Sequence, residues 1–223
     1  MGSQESGISS QQLAQYIDDI ADLHKTGVQI AIVIGGGNIF RGLSGVGEGF
    51  DRVTGDQMGM LATTINSLAL RSGFEAIGVK ATLFTAVEMN AIGKRFHAKD
   101  VIREMQNGSV VILAGGTGNP YFSTDTASAL RALETSCDVF LKGTRVNGVY
   151  TADPEKDLNA KKYQNLTFSE AYEKKLKIMD MTAFTLCQEN NLPVIVFDMN
   201  KKGSLKEVIS NPEIGTIIHN ELN

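Results

Sequence analysis

The chain has 223 residues, is 42% hydrophobic and has 21 Lys and Arg against 25 Asp and Glu, a formal net charge of -4, so it can bury one substantial core or two closely joined lobes. With a pI near 5.4 and no block of cations, it has no electrostatic source for non-specific binding of nucleic acid. Its 2 cysteines, Cys137 and Cys187, read as reduced thiols rather than a disulfide framework, no apolar run approaches the roughly 18 residues of a membrane span, and no cationic segment precedes an apolar one at the start, so the chain reads as cytoplasmic.

In chain order, Ser9-Ser10-Gln11-Gln12 has the form of a capping box, and Leu13, Tyr16, Ile17, Ile20 and Leu23 then repeat at helical spacing up to Gly27. The β-branched run 28–34 follows, as expected of a strand covered on both faces. Further strands are expected at 79–84, 109–114, 138–141, 193–197 and 216–218. They alternate with helical stretches near 58–77, 98–107, 124–136, 168–175, 180–191 and 203–210. This alternation predicts an α/β fold, a mostly parallel sheet between layers of helices. The longest irregular stretch, 144–166, is polar and contains Asp153-Pro154, the composition of a surface loop with a function.

Two expected strands end in glycine-rich loops. One is Gly35-Gly36-Gly37-Asn38-Ile39-Phe40-Arg41-Gly42; the other is Gly115-Gly116-Thr117-Gly118-Asn119-Pro120-Tyr121-Phe122-Ser123-Thr124-Asp125-Thr126. In open α/β sheets ligands bind outside the carboxyl ends of the strands, and bare backbone there lets amide N–H groups approach phosphate oxygens. Tight turning alone is the alternative reading of either loop. Neither loop has the Walker pattern G-x-x-x-x-G-K-[ST]. Phe40 stands where a dinucleotide fingerprint needs its last glycine. Arg41 is the natural charged partner for a phosphate. Asp56, in Thr54-Gly55-Asp56-Gln57-Met58-Gly59-Met60, reads either as a helix N-cap or as an acceptor for ribose hydroxyls. His24, His97 and His219 lie too far apart for a metal site.

Four stretches taken together, Ile34 to Gly42, Thr54 to Ala62, Gly116 to Asp125 and Gly148-Val149-Tyr150-Thr151-Ala152-Asp153-Pro154, resemble the bacterial uridylate kinases of the amino-acid-kinase superfamily. The resemblance runs from about Gly7 to Thr216. It implies a three-layer αβα sandwich, ATP-dependent phosphorylation of UMP to UDP, Mg²⁺ and a homohexamer. It also implies a single domain over 1–223, with a UMP-binding and oligomerisation lobe over about 1–137 and an ATP-binding lobe over about 138–223.

Residue by residue, the resemblance gives Gly36 a contact to UMP and gives Gly37 and Arg41 the phosphates at the centre of the site. Asp56 becomes the acceptor for the UMP ribose. Thr117, Gly118, Asn119, Pro120, Tyr121, Phe122, Ser123 and Thr124 form the loop around UMP, with Thr124 near its phosphate. Thr144, Tyr150 and Asp153 match the ATP side. Asp125 and Asp180 match acidic positions near the reaction centre, Asp180 reading equally as a helix cap, and Lys142 is a candidate for stabilising the transferred phosphoryl group. Arg71 matches a position linked to activation by GTP, with UTP as the expected inhibitor.

Family members open with a strand and a Lys-Leu-Ser-Gly-Glu-like loop whose lysine contacts ATP. This sequence opens instead at Met1-Gly2-Ser3-Gln4-Glu5-Ser6-Gly7. The expectation is therefore that the first strand is missing, and that a 223-residue chain is poorly active or unstable beside a longer form. A shortened, catalytically impaired nucleotide-binding subunit is the alternative function. A dinucleotide-dependent oxidoreductase lacks its fingerprint. Carbamate, aspartate and acetylglutamate kinases share the architecture, but Gly-Asp-Gln-Met-Gly-Met and Gly-Asn-Pro-Tyr-Phe favour UMP.

Overall fold

The computed structural model describes residues 7–40, 49 and 51–221. The chain divides into two compact units, Met1–Thr135 and Ser136–Asn223, each with its own four-stranded sheet.

The first unit contains α1 (Ser10–His24), β1 (Ala31–Val33), α2 (Arg52–Ala76), β2 (Ala81–Thr85), β3 (Lys94–Arg95), α3 (Ala98–Gln106), β4 (Val110–Ala114) and α4 (Thr124–Glu134). Ser9 caps α1 as its sequence predicts, accepting from the Gln12 N–H at 3.4 Å. The sheet order is β1-β4-β2-β3 and every pairing in it is parallel. β4 is central because Val110, Val111, Ile112, Leu113 and Ala114 are all buried, the unbroken apolar run that a strand covered on both faces requires. Below it, Phe84, Val101, Met105, Val111 and Leu113 form one core cluster, α3 giving Val101 and Met105 one turn apart.

α2 starts earlier than the expected 58. Asp51 is its N-cap, accepting from the N–H groups of Val53 at 2.9 Å and Thr54 at 3.0 Å. A hydrogen bond from the Thr54 hydroxyl, followed by those backbone bonds, holds the Asp51 carboxyl below its ordinary pKa. Gly73 in α2 serves close packing rather than chain breaking: an added Cβ there would collide with Ile17 of α1.

The second unit contains β5 (Phe140–Thr144), β6 (Asn165–Thr167), α5 (Phe168–Glu173), α6 (Met181–Glu189), β7 (Val194–Asp198), α7 (Ser204–Ser210), a 3-10 turn over Pro212–Ile214 and β8 (Thr216–His219). Its sheet runs β5-β7-β8-β6, parallel except where β8 opposes β7. A full capping box between Thr167 and Glu170 starts α5. The edge-to-face pair Phe168–Phe184, with centroids 5.1 Å apart, packs α5 on α6.

The α/β class and the mostly parallel sheet are as expected, with the strands divided between two sheets. β3 and β6, of 2 and 3 residues, have no sequence signal because a run that short shows no period. Among the described residues no helix is long and apolar enough to cross a membrane.

Candidate active site

β1 and β4 are paired neighbours, Val33 level with Leu113, so the two glycine loops that follow them emerge side by side. In the first loop Gly36 is buried against α2. A Cβ there would lie 2.7 Å from Ala62 Cβ and 2.9 Å from both the Gly59 carbonyl and the Thr63 amide. The bare backbone at 36 is thus required by helix contact before any ligand is considered. Gly35 faces the start of α4, where a Cβ would stand 3.5 Å from Thr124 Oγ1. Gly37 is exposed. The Gly36 carbonyl accepts from the N–H groups of Ile39 at 2.9 Å and Phe40 at 3.0 Å, which turns the chain. Asn66 of α2 donates to the Gly35 carbonyl at 2.7 Å, and it exchanges side-chain amide hydrogen bonds with Asn38 at 2.7 and 3.0 Å. Arg41, the expected phosphate cation, lies outside the described residues.

The second loop needs left-handed backbone: Gly115, Gly116 and Gly118 have φ of 80°, 60° and 84°. The Gly115 N–H donates to Thr63 Oγ1 at 2.9 Å. Thr117 Oγ1 accepts from the Asn119 N–H at 3.1 Å. Tyr121 adopts φ 72° although it has a side chain, a conformation costing on the order of 1–3 kcal/mol that must be offset by its surroundings. Pro120 is half-buried while Tyr121 and Phe122 are exposed. Ser123 caps α4, accepting from the Thr126 N–H at 3.1 Å. Thr124 and Asp125 therefore occupy its first turn, where the positive end of the helix dipole favours an anion.

Asp56 sits inside α2, fifth from its start, so it is not the cap. Its Oδ2 accepts from Arg52 Nε and from the Tyr121 N–H, each at 2.7 Å, and the Arg52 guanidinium lies over the Tyr121 ring, 5.3 Å from its centroid. The carboxylate is thereby held against the second glycine loop. Beneath the loop, buried Arg131 donates to the Gly116 carbonyl at 3.1 Å and to Glu134 at 2.5 Å, and stacks 3.9 Å from the Phe96 centroid. Arg52, Thr63, Asn66 and Arg131 are supporting residues that sequence reasoning missed. Only Arg52 had a signal, its spacing of four residues from Asp56 on one helix.

In the second unit a cavity of about 590 Å³ is lined by Asn147, Tyr150, Pro154, Lys162, Asp198 and Ile214 among others. Tyr150 lines it directly. Thr144, at the end of β5, accepts from the Val146 N–H at 3.1 Å and donates to the Val146 carbonyl at 2.6 Å, and Val146 lines the cavity. Asp153 is exposed and folds the adjoining turn, accepting from the Glu155 N–H at 3.0 Å. Lys142 lies in β5 level with Val196 of β7. Asp180 is the N-cap of α6, accepting from the Ala183 N–H at 3.0 Å. His24 bonds the Gly108 carbonyl at 3.1 Å. No cluster of three or more His, Cys, Asp or Glu that could hold a metal is present among the described residues.

The arrangement so far is a double amide-rich hollow beside a fixed carboxylate in one unit and a nucleotide-sized cavity in the other. Residues 2–198 match the model of the amino acid kinase family. The chain is 58% identical to a uridylate kinase of Bacteroides thetaiotaomicron over 99% of its own length and 93% of that relative's. It superposes on a UMP kinase of Bacillus anthracis with a TM-score of 0.95 and 32% identity, covering 99% of this chain and 91% of that one. A UMP kinase of Ureaplasma parvum gives a TM-score of 0.93 at 34% identity, covering 98% and 93%.

Proposed function

The chain belongs to the amino acid kinase family, in its uridylate kinase branch, and from that premise we propose that it transfers the γ-phosphoryl group of ATP to UMP, yielding UDP and ADP. A phosphate oxygen of UMP attacks the γ-phosphorus, and the bond to the β–γ bridging oxygen breaks with ADP leaving. Chemistry of this kind needs positioning and charge stabilisation and no protein nucleophile. An impaired, purely nucleotide-binding subunit is not favoured, because the match to named kinases runs through nearly the whole chain.

One observation carries the UMP side of the reading. The β1–β4 pairing sets both glycine loops together, next to a carboxylate already fixed by Arg52 and Tyr121. The first unit serves as the UMP-binding and oligomerisation lobe. Gly36 and the 117–124 loop surround UMP, Asp56 accepts a ribose hydroxyl, and Thr124 with the α4 amides holds the phosphate. The second unit serves as the ATP lobe through Thr144, Tyr150 and Asp153. Gly37 and Arg41 act on the phosphates between acceptor and donor. Lys142 neutralises charge on the transferred group, and Asp125 and Asp180 organise charged groups near the reaction centre.

Mg²⁺ takes oxygen ligands and keeps several waters, so it would arrive chelated by the phosphates of ATP rather than in a cage made by the protein. When bound, it would supply charge neutralisation on the triphosphate. The reading also includes a cytoplasmic homohexamer activated by GTP and inhibited by UTP, for which the family resemblance is the support.

The test is formation of UDP from ATP, with UMP, CMP, AMP and GMP offered in parallel. Turnover of UMP well above the others is expected. Absence of UDP, or equal use of CMP, would overturn the assignment.

A further inference from the structure

We propose that Lys162 recognises the purine ring of the phosphoryl donor, its ammonium group donating a hydrogen bond to a ring nitrogen of the base. The inference rests on the reading of the cavity in the second unit as the ATP site. Lys162 lines that cavity together with Tyr150 and Ile214 and is joined to both. It stands opposite Tyr150 in an antiparallel bridge, and Nζ donates to the Ile214 carbonyl at 2.6 Å and the Glu213 carbonyl at 3.3 Å.

The aliphatic stem is fixed as well. Gly148 has φ 152°, and a Cβ there would lie 2.8 Å from Lys162 Cε, so the stem passes under a residue that leaves it room. The side-chain freedom that an ordinary surface lysine would lose on binding is already lost here. An ammonium group has three donor protons, and the two carbonyls take two of them. Partial burial disfavours its charge and pushes its pKa down. Among the described residues no carboxylate forms an ion pair with it. The other cations lining the cavity differ: Arg145 pairs with Glu155 at 3.6 Å and Lys201 with Glu207 at 3.1 Å, and both are mostly exposed. A half-desolvated cation with a proton to spare is stabilised by a lone pair presented from within the cavity.

The position on the wall decides which lone pair. Tyr150, Pro154 and Ile214 offer the flat and apolar surfaces that suit an aromatic base, and Lys162 is anchored to that same wall. A purine presents unprotonated ring nitrogens there as acceptors.

Lys162→Met keeps the stem and removes the donor. Kinetics with ATP, 1-deaza-ATP, 3-deaza-ATP and 7-deaza-ATP, UMP saturating, compare the variant with the natural protein. KM for ATP should rise roughly 10- to 100-fold, the range for a hydrogen bond from a charged donor, with the change on KM rather than kcat. One deaza analogue should lose a similar factor with the natural protein and little with Lys162→Met, the non-additivity of a direct contact. If every analogue loses the same factor in both proteins, the inference is overturned, even where the variant is less stable. Tyr150→Ala separates the two readings. A raised KM for ATP there with none for Lys162→Met removes only the lysine's role, whereas no change in either removes the ATP site and this inference with it.

Discussion

The Asp56 carboxylate and the Tyr121 backbone, 65 positions apart in the chain, meet at 2.7 Å. This bond joins α2 to the loop before α4 and holds Tyr121 at φ 72°, a conformation a tyrosine would otherwise leave. The same oxygen takes Arg52 Nε at 2.7 Å, so it is committed to structure, while in the proposed site the carboxylate also accepts a ribose hydroxyl. Asp56→Asn keeps the shape but loses the charge. KM for UMP should rise roughly 10- to 100-fold, measured at saturating ATP. An unchanged KM would remove Asp56 from the UMP site.

Gly36 packs against the Gly59 carbonyl, and the two glycines should respond oppositely to alanine. Gly36→Ala places a Cβ 2.7 Å from Ala62 Cβ and 2.9 Å from the Gly59 carbonyl, so strand end and helix must separate. A loss of about 1–3 kcal/mol is expected from such overpacking, with weaker UMP binding. At Gly59, inside α2, an added Cβ meets nothing within 4 Å. Gly59→Ala should be neutral or stabilise by up to about 1 kcal/mol. Urea unfolding of both variants checks the contrast.

Glu104 of α3 accepts from Lys94 at 2.6 Å and lies 3.3 Å from Lys80 Nζ. The Lys94 hydrogen bond, with Lys80 adding to it, holds its pKa below the ordinary glutamate value. A carboxylate with a depressed folded pKa stabilises the fold above its unfolded pKa, about 4.3. That contribution is lost as pH falls through the lower folded value. Glu104→Gln should therefore be less stable than the natural protein near neutrality, with the gap closing below about pH 4. Denaturant unfolding at stepped pH measures it, and a gap independent of pH would contradict the assignment.

Local signals made much of this legible. The α1 cap at Ser9, the apolar run of β4 and the glycines after β1 and β4 lie within a few residues of what they specify. Asp56 invited a capping role because it stands just before the helix expected from 58, yet α2 already begins at Arg52 and the real cap is Asp51. Asn66 and Arg131 left no trace in sequence because their partners, the Gly35 and Gly116 carbonyls, are backbone atoms brought near only by the sheet. A side chain bonding a remote carbonyl has no period and no motif.

Arg131 is where that hidden support is most exposed to test. Its guanidinium is buried, stacks on Phe96 and reaches both Glu134 and the Gly116 carbonyl, three contacts that depend on a planar fork. A lysine at 131 keeps the charge but offers a single point of donation and no stacking plane. Arg131→Lys should cost about 1.5–3 kcal/mol, the range for a hydrogen bond from a charged group, seen as a lower unfolding midpoint. Because Gly116 begins the loop that surrounds UMP in the proposed site, KM for UMP should rise as well, while KM for ATP stays near that of the natural protein. Equal increases in both would mean that Arg131 supports the fold alone and has no particular hold on the loop.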